Sequence, residues 1–240
     1  MRILNIATYR FVTLDDLPQQ KSRLMNRAQA LDLKGTVLLT PEGINCFLAG
    51  VPGNVDAWLA DLQADTRFSG IEVKRSFSDF VPFKRLRVKI KREIISFRQH
   101  GFRNGDAPSV SPQELNQWLE QGRDVVFVDT RNEVEFAEGS FDHALNPHIV
   151  RFSDFAEAIK RFGHVKDKVV VAFCTGGIRC EKAVPFMRAQ GFEQAYQLQG
   201  GILNYFEKCG GRHWRGNCFV FDDRGAVTPE LAPRNGRAAQ

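Results

Sequence analysis

The chain has 240 residues, 43% of them hydrophobic and 25% charged, with a net charge of +5 and a pI near 9.0. That length and apolar content fit one large packed domain or two small ones and exclude a disordered or low-complexity chain. No apolar run approaches the roughly 18 residues of a membrane helix, the start MRILNIATYRFVTL lacks the apolar core of a signal peptide, and five cysteines at uneven spacing fit reduced thiols, so a cytoplasmic protein with no membrane partner is expected.

In chain order, residues 2–13 alternate as a strand and 15–33 follow the period of a helix through Leu17, Leu24, Ala28 and Leu31. Strands over 36–39 and 44–49 flank the turn Pro41-Glu42-Gly43, and a helix over 54–65 carries Val55, Trp58, Leu59 and Leu62 on one face with Asn54 as its cap. A strand over 71–76 completes a β-α-β-β-α-β order. This is the ferredoxin-like, split βαβ arrangement, also seen in acylphosphatase-like domains, and it is expected over residues 1–98.

Within it, KRLRVKIKREIISF (84–97) alternates Leu86, Val88 and Ile90 with Arg85, Arg87, Lys89 and Lys91. Residues 72–103 hold ten lysines and arginines against Glu72, Asp79 and Glu93, a net of +7, more than the whole chain carries. The ladder reads either as a solvated strand edge kept positive against edge pairing or, with Phe80, Phe83 and Phe97 interleaved, as a surface for nucleic-acid phosphates.

The Gly-, Pro-, Asn- and Ser-rich stretch 99–111 reads as a linker. Ser111-Pro112-Gln113-Glu114 then opens a helix with its cap, N1 proline and N3 glutamate in favoured places. Strands at 125–128, 168–173 and 195–198 alternate with helical patterns, 152–162 among them, which predicts a parallel α/β domain over 112–210 with its site at the carboxyl ends of the strands. Residues 211–240 form a tail with a short strand, CFVF, and a disorder-prone end. Cys209, His213 and Cys218 form a C-x3-H-x4-C pattern that lacks the fourth ligand and tight pairs zinc prefers, so no metal and no other cofactor is assigned.

The most informative stretch is VVVAFCTGGIRCEKAVPFMRAQG, residues 169–191: a buried strand, a loop opened by Cys174, and a helix from about Ile178 to Gly191. An ordinary thiol near pKa ~8.5 is only about 3% ionised at pH 7. A helix N-terminus is worth roughly 0.3–2 kcal/mol to a negative charge, and Arg179 adds a positive one. With Gly176 and Gly177 able to take positive φ, the N–H groups of Thr175, Gly176, Gly177, Ile178 and Arg179 can form a nest around the sulfur of Cys174. A cysteine-dependent phosphatase would place arginine six positions after the cysteine; here that position is Cys180 and the arginine falls at five. The shorter ring suits one bound sulfur, such as a persulfide. Cys180 is a candidate resolving thiol or a small buried residue, Asp129 and Arg131 brace the loop from a neighbouring strand, and His143, His148 and His164 are surface histidines of which one near the thiol could serve as a base.

The CTGGIR loop resembles the active loop of the rhodanese superfamily. Asp129, Arg131, Glu135 and Gly139 fall on that fold's D-x-R-x-x-x-E-[FY]-x-x-G pattern, and QLQGGILNY (197–205) resembles its closing strand and double-glycine turn. More narrowly PEGIN, KIKREI, CTGGIRCEKA and GNCFVFDDR, in this order over residues 3–224, resemble the bacterial tRNA uridine(34) hydroxylases. Two features stand out against that pattern: Cys46 follows PEGIN where a small residue such as glycine is expected, and Pro185 lies inside the helix after the loop. The resemblance implies oxygen-dependent formation of 5-hydroxyuridine at the wobble position, with molecular oxygen as co-substrate, the tRNA anticodon arm as partner and Cys174 as the catalytic, persulfide-forming cysteine. A sulfurtransferase working on thiosulfate and a non-catalytic rhodanese-like binding module are the alternatives from other classes.

Overall fold

A computed structural model of the chain describes residues 2–100 and 107–234 and divides into two compact units, one formed by residues up to Ile94 with Asp222–Arg224, the other by Ile95–Phe221 and the residues from Gly225 onward. In the first, β1 (Ile3–Phe11), α1 (Leu17–Ala30), β2 (Lys34–Thr40), β3 (Gly43–Gly50), α2 (Pro52–Gln63), β4 (Val73–Ser78) and β5 (Leu86–Ile90) build one sheet ordered β4-β1-β3-β2-β5. The first four strands pair antiparallel, as the ferredoxin-like reading requires, and β5 adds in parallel beside β2. Alternation puts Leu4 and Ile6, Val37 and Leu39, and Ile44, Cys46 and Leu48 on one face, where Leu24 and Ala28 of α1 and Val55, Trp58, Leu59 and Leu62 of α2 cover them. Cys46 is thus a core residue, and burial pushes its thiol pKa up.

Two local expectations are corrected here. Asn54 does not cap α2, which begins two residues earlier with Pro52 at its first turn; the Asn54 amide donates to the Leu31 carbonyl at 2.9 Å. On β5, Val88 is buried but Ile90, the last residue of this edge strand, is 40% exposed.

The second unit holds β6 (Ser109–Val110), α3 (Pro112–Glu120), β7 (Val125–Asp129), α4 (Glu133–Glu138), β8 (Gly139–Phe141), α5 (Phe155–Ala158), β9 (Val169–Phe173), α6 (Cys180–Ala189), β10 (Ala195–Leu198), α7 (Gly201–Cys209), β11 (Trp214–Gly216), β12 (Cys218–Phe219) and β13 (Ala226–Val227). Its main sheet, β6-β10-β9-β7, is wholly parallel. The central strand β9 is buried on both faces: Val170 and Ala172 enter one core with α5 and α6, while Val171 and Phe173 enter another with α3 and α7. That double burial is why its sequence is an unbroken apolar run. Ser111 caps α3, accepting from the Glu114 N–H at 3.2 Å. The expected helix over 152–162 is instead the short α5 between 3-10 turns at 152–154 and 159–165, with a non-helical break at Phe162.

The unit boundaries also differ from the expected 98, 99–111, 112–210 and 211–240. Phe97 belongs to the second unit, stacked on Phe152 at 4.8 Å and edge-on to Phe186 at 5.4 Å between ring centres. Of the expected linker, β6 is already in the sheet and residues 101–106 lie outside the described residues. The tail is no appendage either: Trp214, Cys218, Val220 and Val227 are buried in the second core, although 235–240 lie outside the described residues. Replacing Phe97→Ala is expected to cost about 3–5 kcal/mol of stability by opening a cavity, read as a lowered midpoint in thermal unfolding; an unchanged midpoint would place Phe97 outside this core.

Candidate active site

Cys174 follows the last residue of β9 and is 1% exposed. The Gly177 N–H donates to its sulfur at 3.2 Å, and the Arg179 N–H at the start of α6 points to the same atom. Gly177 has φ +97°, a conformation that turns its N–H inward at no steric cost. Gly176 does not share that conformation; a Cβ placed on it would meet no atom within 4 Å. The nest is therefore narrower than expected, with Gly177 and Arg179 as its donors to the sulfur. The helix also starts two residues later than expected, at Cys180.

The loop carbonyls point the other way. Those of Cys174 and Thr175 accept from Ile202 and Leu203 N–H in the first turn of α7, at 3.0 and 3.1 Å. This docking requires the Gly200-Gly201 turn, because a Cβ on Gly201 would lie 2.4 Å from the Cys174 carbonyl oxygen and 2.6 Å from the Gly177 nitrogen.

Arg179 is buried and forked onto Glu135, with both guanidinium-to-carboxylate contacts at 2.7 Å. Glu135 is at the third position of α4. Its carboxylate also accepts from Asn132 N–H at 3.1 Å, completing a capping box, and from the Thr175 hydroxyl at 3.4 Å. Asp129 and Arg131 at the end of β7 form a second fork, fully buried, at 2.9 and 2.6 Å. Arg131 further donates to the Gly139 carbonyl and Ser140 donates to Asp129, so this pair ties β7 to β8. Nη1 of Arg131 has no hydrogen-bond partner among the described residues and is sheltered by the rings of Trp214 and Phe173, centred 5.3 and 5.8 Å from its guanidinium carbon.

Burial raises the Cys174 pKa, but a hydrogen bond from Cys180, the Arg179 charge and the Arg179 and Gly177 N–H groups outweigh it and bring it down to about 6. Cys180 moves the opposite way, pushed well above the ordinary thiol range by burial and by the neighbouring Cys174 sulfur. The pair holds one thiolate and one donor thiol. The Cys180 sulfur also lies 3.7 Å from the Thr130 hydroxyl. Cys218, from the tail, lies beside Arg131 and Thr175, and burial pushes its thiol up to about 12.

Two sequence-family models match the chain: the UPF0176 acylphosphatase-like domain over residues 3–94 and the rhodanese-like domain over residues 111–208. Among full-length relatives, the tRNA uridine(34) hydroxylase of Variovorax paradoxus (strain S110) is 50% identical over 99% of this chain and 93% of its own. That of Bordetella avium (strain 197N) is 51% identical over 97% of this chain and all of its own. The chain belongs to the tRNA uridine(34) hydroxylase family. Among solved structures, a human single-domain sulfurtransferase is 29% identical over 42% of this chain and 97% of its own, with a TM-score of 0.35.

Within this family frame, the structure brings Cys174, its loop, Cys180 and the Asp129–Arg131 brace together in one unit. Glu135, which the sequence marks only as one position of a longer pattern, is the residue that holds Arg179 in place. Its signal was present in the capping-box spacing Asn132 to Glu135. The basic candidates Arg85, Arg87, Lys89 and Lys91 lie on or beside edge strand β5 of the first unit, and none of them forms an ion pair among the described residues. His148 is engaged with Glu133 at the surface at 2.9 Å, and His164 packs beside Phe162. Among the described residues no three His, Cys, Asp or Glu side chains gather as a metal site, and no helix is long and apolar enough to cross a membrane.

The thiolate should be visible in alkylation kinetics. Iodoacetamide should reach half its limiting rate on Cys174 near pH 6, against ~8.5 for a free thiol. The depressed pKa stabilises the fold fully above the unfolded-state value, and that contribution fades as pH falls toward 6. Arg179→Gln should shift the rate profile upward and cost about 3–5 kcal/mol of stability by leaving Glu135 buried without its cation; an unmoved profile would show that Arg179 does not tune the sulfur.

Proposed function

We propose that the chain hydroxylates uridine 34 of tRNA to 5-hydroxyuridine, with molecular oxygen as co-substrate and Cys174 as the catalytic residue. The observation that carries this reading is a buried, ionised thiol in an intact loop, within a chain about half identical over nearly its whole length to tRNA uridine(34) hydroxylases. Sulfur transfer from thiosulfate is not favoured, since these full-length relatives carry the hydroxylase name.

Inserting one oxygen atom of O2 at a C5–H bond leaves the other atom to become water, which takes two electrons and two protons. Cys174 and Cys180, passing from one thiolate and one thiol to a disulfide, supply both electrons and one proton, solvent water supplies the other proton, and a thiol reductant resets the pair. The RNA partner is the anticodon arm, because bases of a single-stranded loop can be splayed out to a protein site. Arg85, Arg87, Lys89 and Lys91 supply the phosphate grip. The compartment is the cytoplasm, where reducing conditions keep the five free cysteines as thiols.

Mass analysis of tRNA nucleosides after incubation with pure protein, oxygen and a thiol reductant tests this. Wild type should yield 5-hydroxyuridine and Cys174→Ala none; an unmodified tRNA with wild type would sink the reading. Cys180→Ser keeps a hydrogen-bond donor to the thiolate and should lose turnover while the alkylation profile stays low. Full turnover by that variant would remove Cys180 from electron supply and leave the hydroxylation reading standing.

For the basic strand, reversing Arg87→Glu and Lys89→Glu together should weaken tRNA binding and flatten the slope of log affinity against log salt by about one for each phosphate the strand no longer neutralises. Equal affinity at low salt would retire the strand as an RNA surface.

A further inference from the structure

Among the described residues a single phenylalanine, tyrosine or tryptophan is exposed: Phe221, at 60%. One exposed apolar side chain is ordinary. Its surroundings are not. In the segment 218–221 Cys218 and Val220 are buried while Phe219 is half-buried and Phe221 exposed, so both rings stand on the outer face. They meet edge to face, with centres 5.1 Å apart and planes at 76°. The Phe219 carbonyl accepts from the Thr175 hydroxyl at 3.5 Å, which sets this strand against the active loop. The Phe221 ring centre lies 5.8 Å from the guanidinium carbon of Arg179, whose own N–H is on the Cys174 sulfur. Nearby in the loop, the Cβ position of Gly176 opens onto empty space.

We propose that Phe221 is a stacking platform for the unstacked uracil brought to Cys174, with Phe219 bracing the platform ring by its edge. The inference rests on the tRNA-hydroxylation reading. A pyrimidine can be worked on at C5 only once it leaves its neighbours in the RNA stack, and aromatic faces are what single-stranded bases settle on. The Arg179 guanidinium, held by Glu135 through both terminal nitrogens, lies over the Phe221 ring at 5.8 Å from its centre and fixes the loop side of the platform. Such a platform positions the base and does not identify it, since every base has a π-face.

Steady-state kinetics on full-length tRNA with Phe221→Ala, Phe221→Leu and Phe221→Trp test the assignment, alongside the iodoacetamide profile of Cys174 in each. Stacking worth that of a typical base–aromatic pair predicts a fall in kcat/KM of about 5- to 150-fold for Ala, carried mainly in KM. Leu should be nearly as poor, Trp should restore activity, and all three should keep the wild-type alkylation profile. Wild-type kinetics in Phe221→Ala would overturn the platform. So would full rescue by Leu, which would reduce the ring to apolar cover, or a shifted alkylation profile, which would mean that Phe221 acts through the loop. If wild type itself leaves tRNA unmodified, the hydroxylation reading is what fails, and that outcome is separate from any difference among the variants.

Discussion

The structure around Cys174 depends on which way the peptide planes of its loop face. In a trans peptide the C=O and N–H are antiparallel, so fixing one fixes the other. The first turn of α7 takes the carbonyls of Cys174 and Thr175, which leaves the N–H groups of the same planes turned away from α7. A helix N-terminus, normally a site for an anion, here holds the start of the loop, and the Gly177 and Arg179 N–H groups further along that loop are the ones that reach the sulfur. Gly201 is the contact point at which this becomes possible, since any side chain would occupy the place of the loop backbone.

The second recurring device is a local fork in which an aspartate binds the guanidinium of the arginine two residues on and also accepts that arginine's backbone N–H. It occurs at Asp65 and Arg67, at Asp129 and Arg131, and at Asp222 and Arg224. Each fork closes a tight turn and cancels a charge in place, which lets the middle pair sit fully buried. The fork at Asp129 positions β7 and β8; the Glu135 pair, anchored in a capping box, positions Arg179. The buried charges of the second unit thus form a scaffold behind the thiolate.

Much of this was legible in the sequence. Two strong periodicities fixed the order of elements in both units, and the strand–Cys–Gly-Gly–Arg–helix run located the site, because each feature is local. What escaped was set by distant contacts. α7 follows a double glycine whose role is to touch a loop some 25 residues earlier, and nothing in its own period announces that. Phe97 sits in a basic stretch whose pattern belongs to the first unit, yet its ring fills the second. Asn54 has the right chemistry for a cap, but Pro52 starts the helix sooner and frees the amide for Leu31. Glu135 was legible as a cap and as a motif position; that it would meet Arg179 across 44 residues was not.

Charge balance explains why the cradle suits sulfur. In the sequence, the arginine at position five suggested only a smaller ring. In the structure that arginine is already ion-paired, since Glu135 takes both terminal nitrogens and also the Thr175 hydroxyl. The loop's remaining attraction for an anion comes from one neighbouring thiol, the charge of an Arg179 whose terminal nitrogens are already taken, and backbone N–H groups. That is enough to hold a single negative charge on Cys174, as its depressed pKa requires, and too little to match a phosphoryl dianion, which would need an unpaired guanidinium. An uncharged heterocycle asks for no such match. It needs a flat surface to lie on and an ionised sulfur within reach, so the same ion pair that turns the loop away from phosphate chemistry leaves it suited to a base.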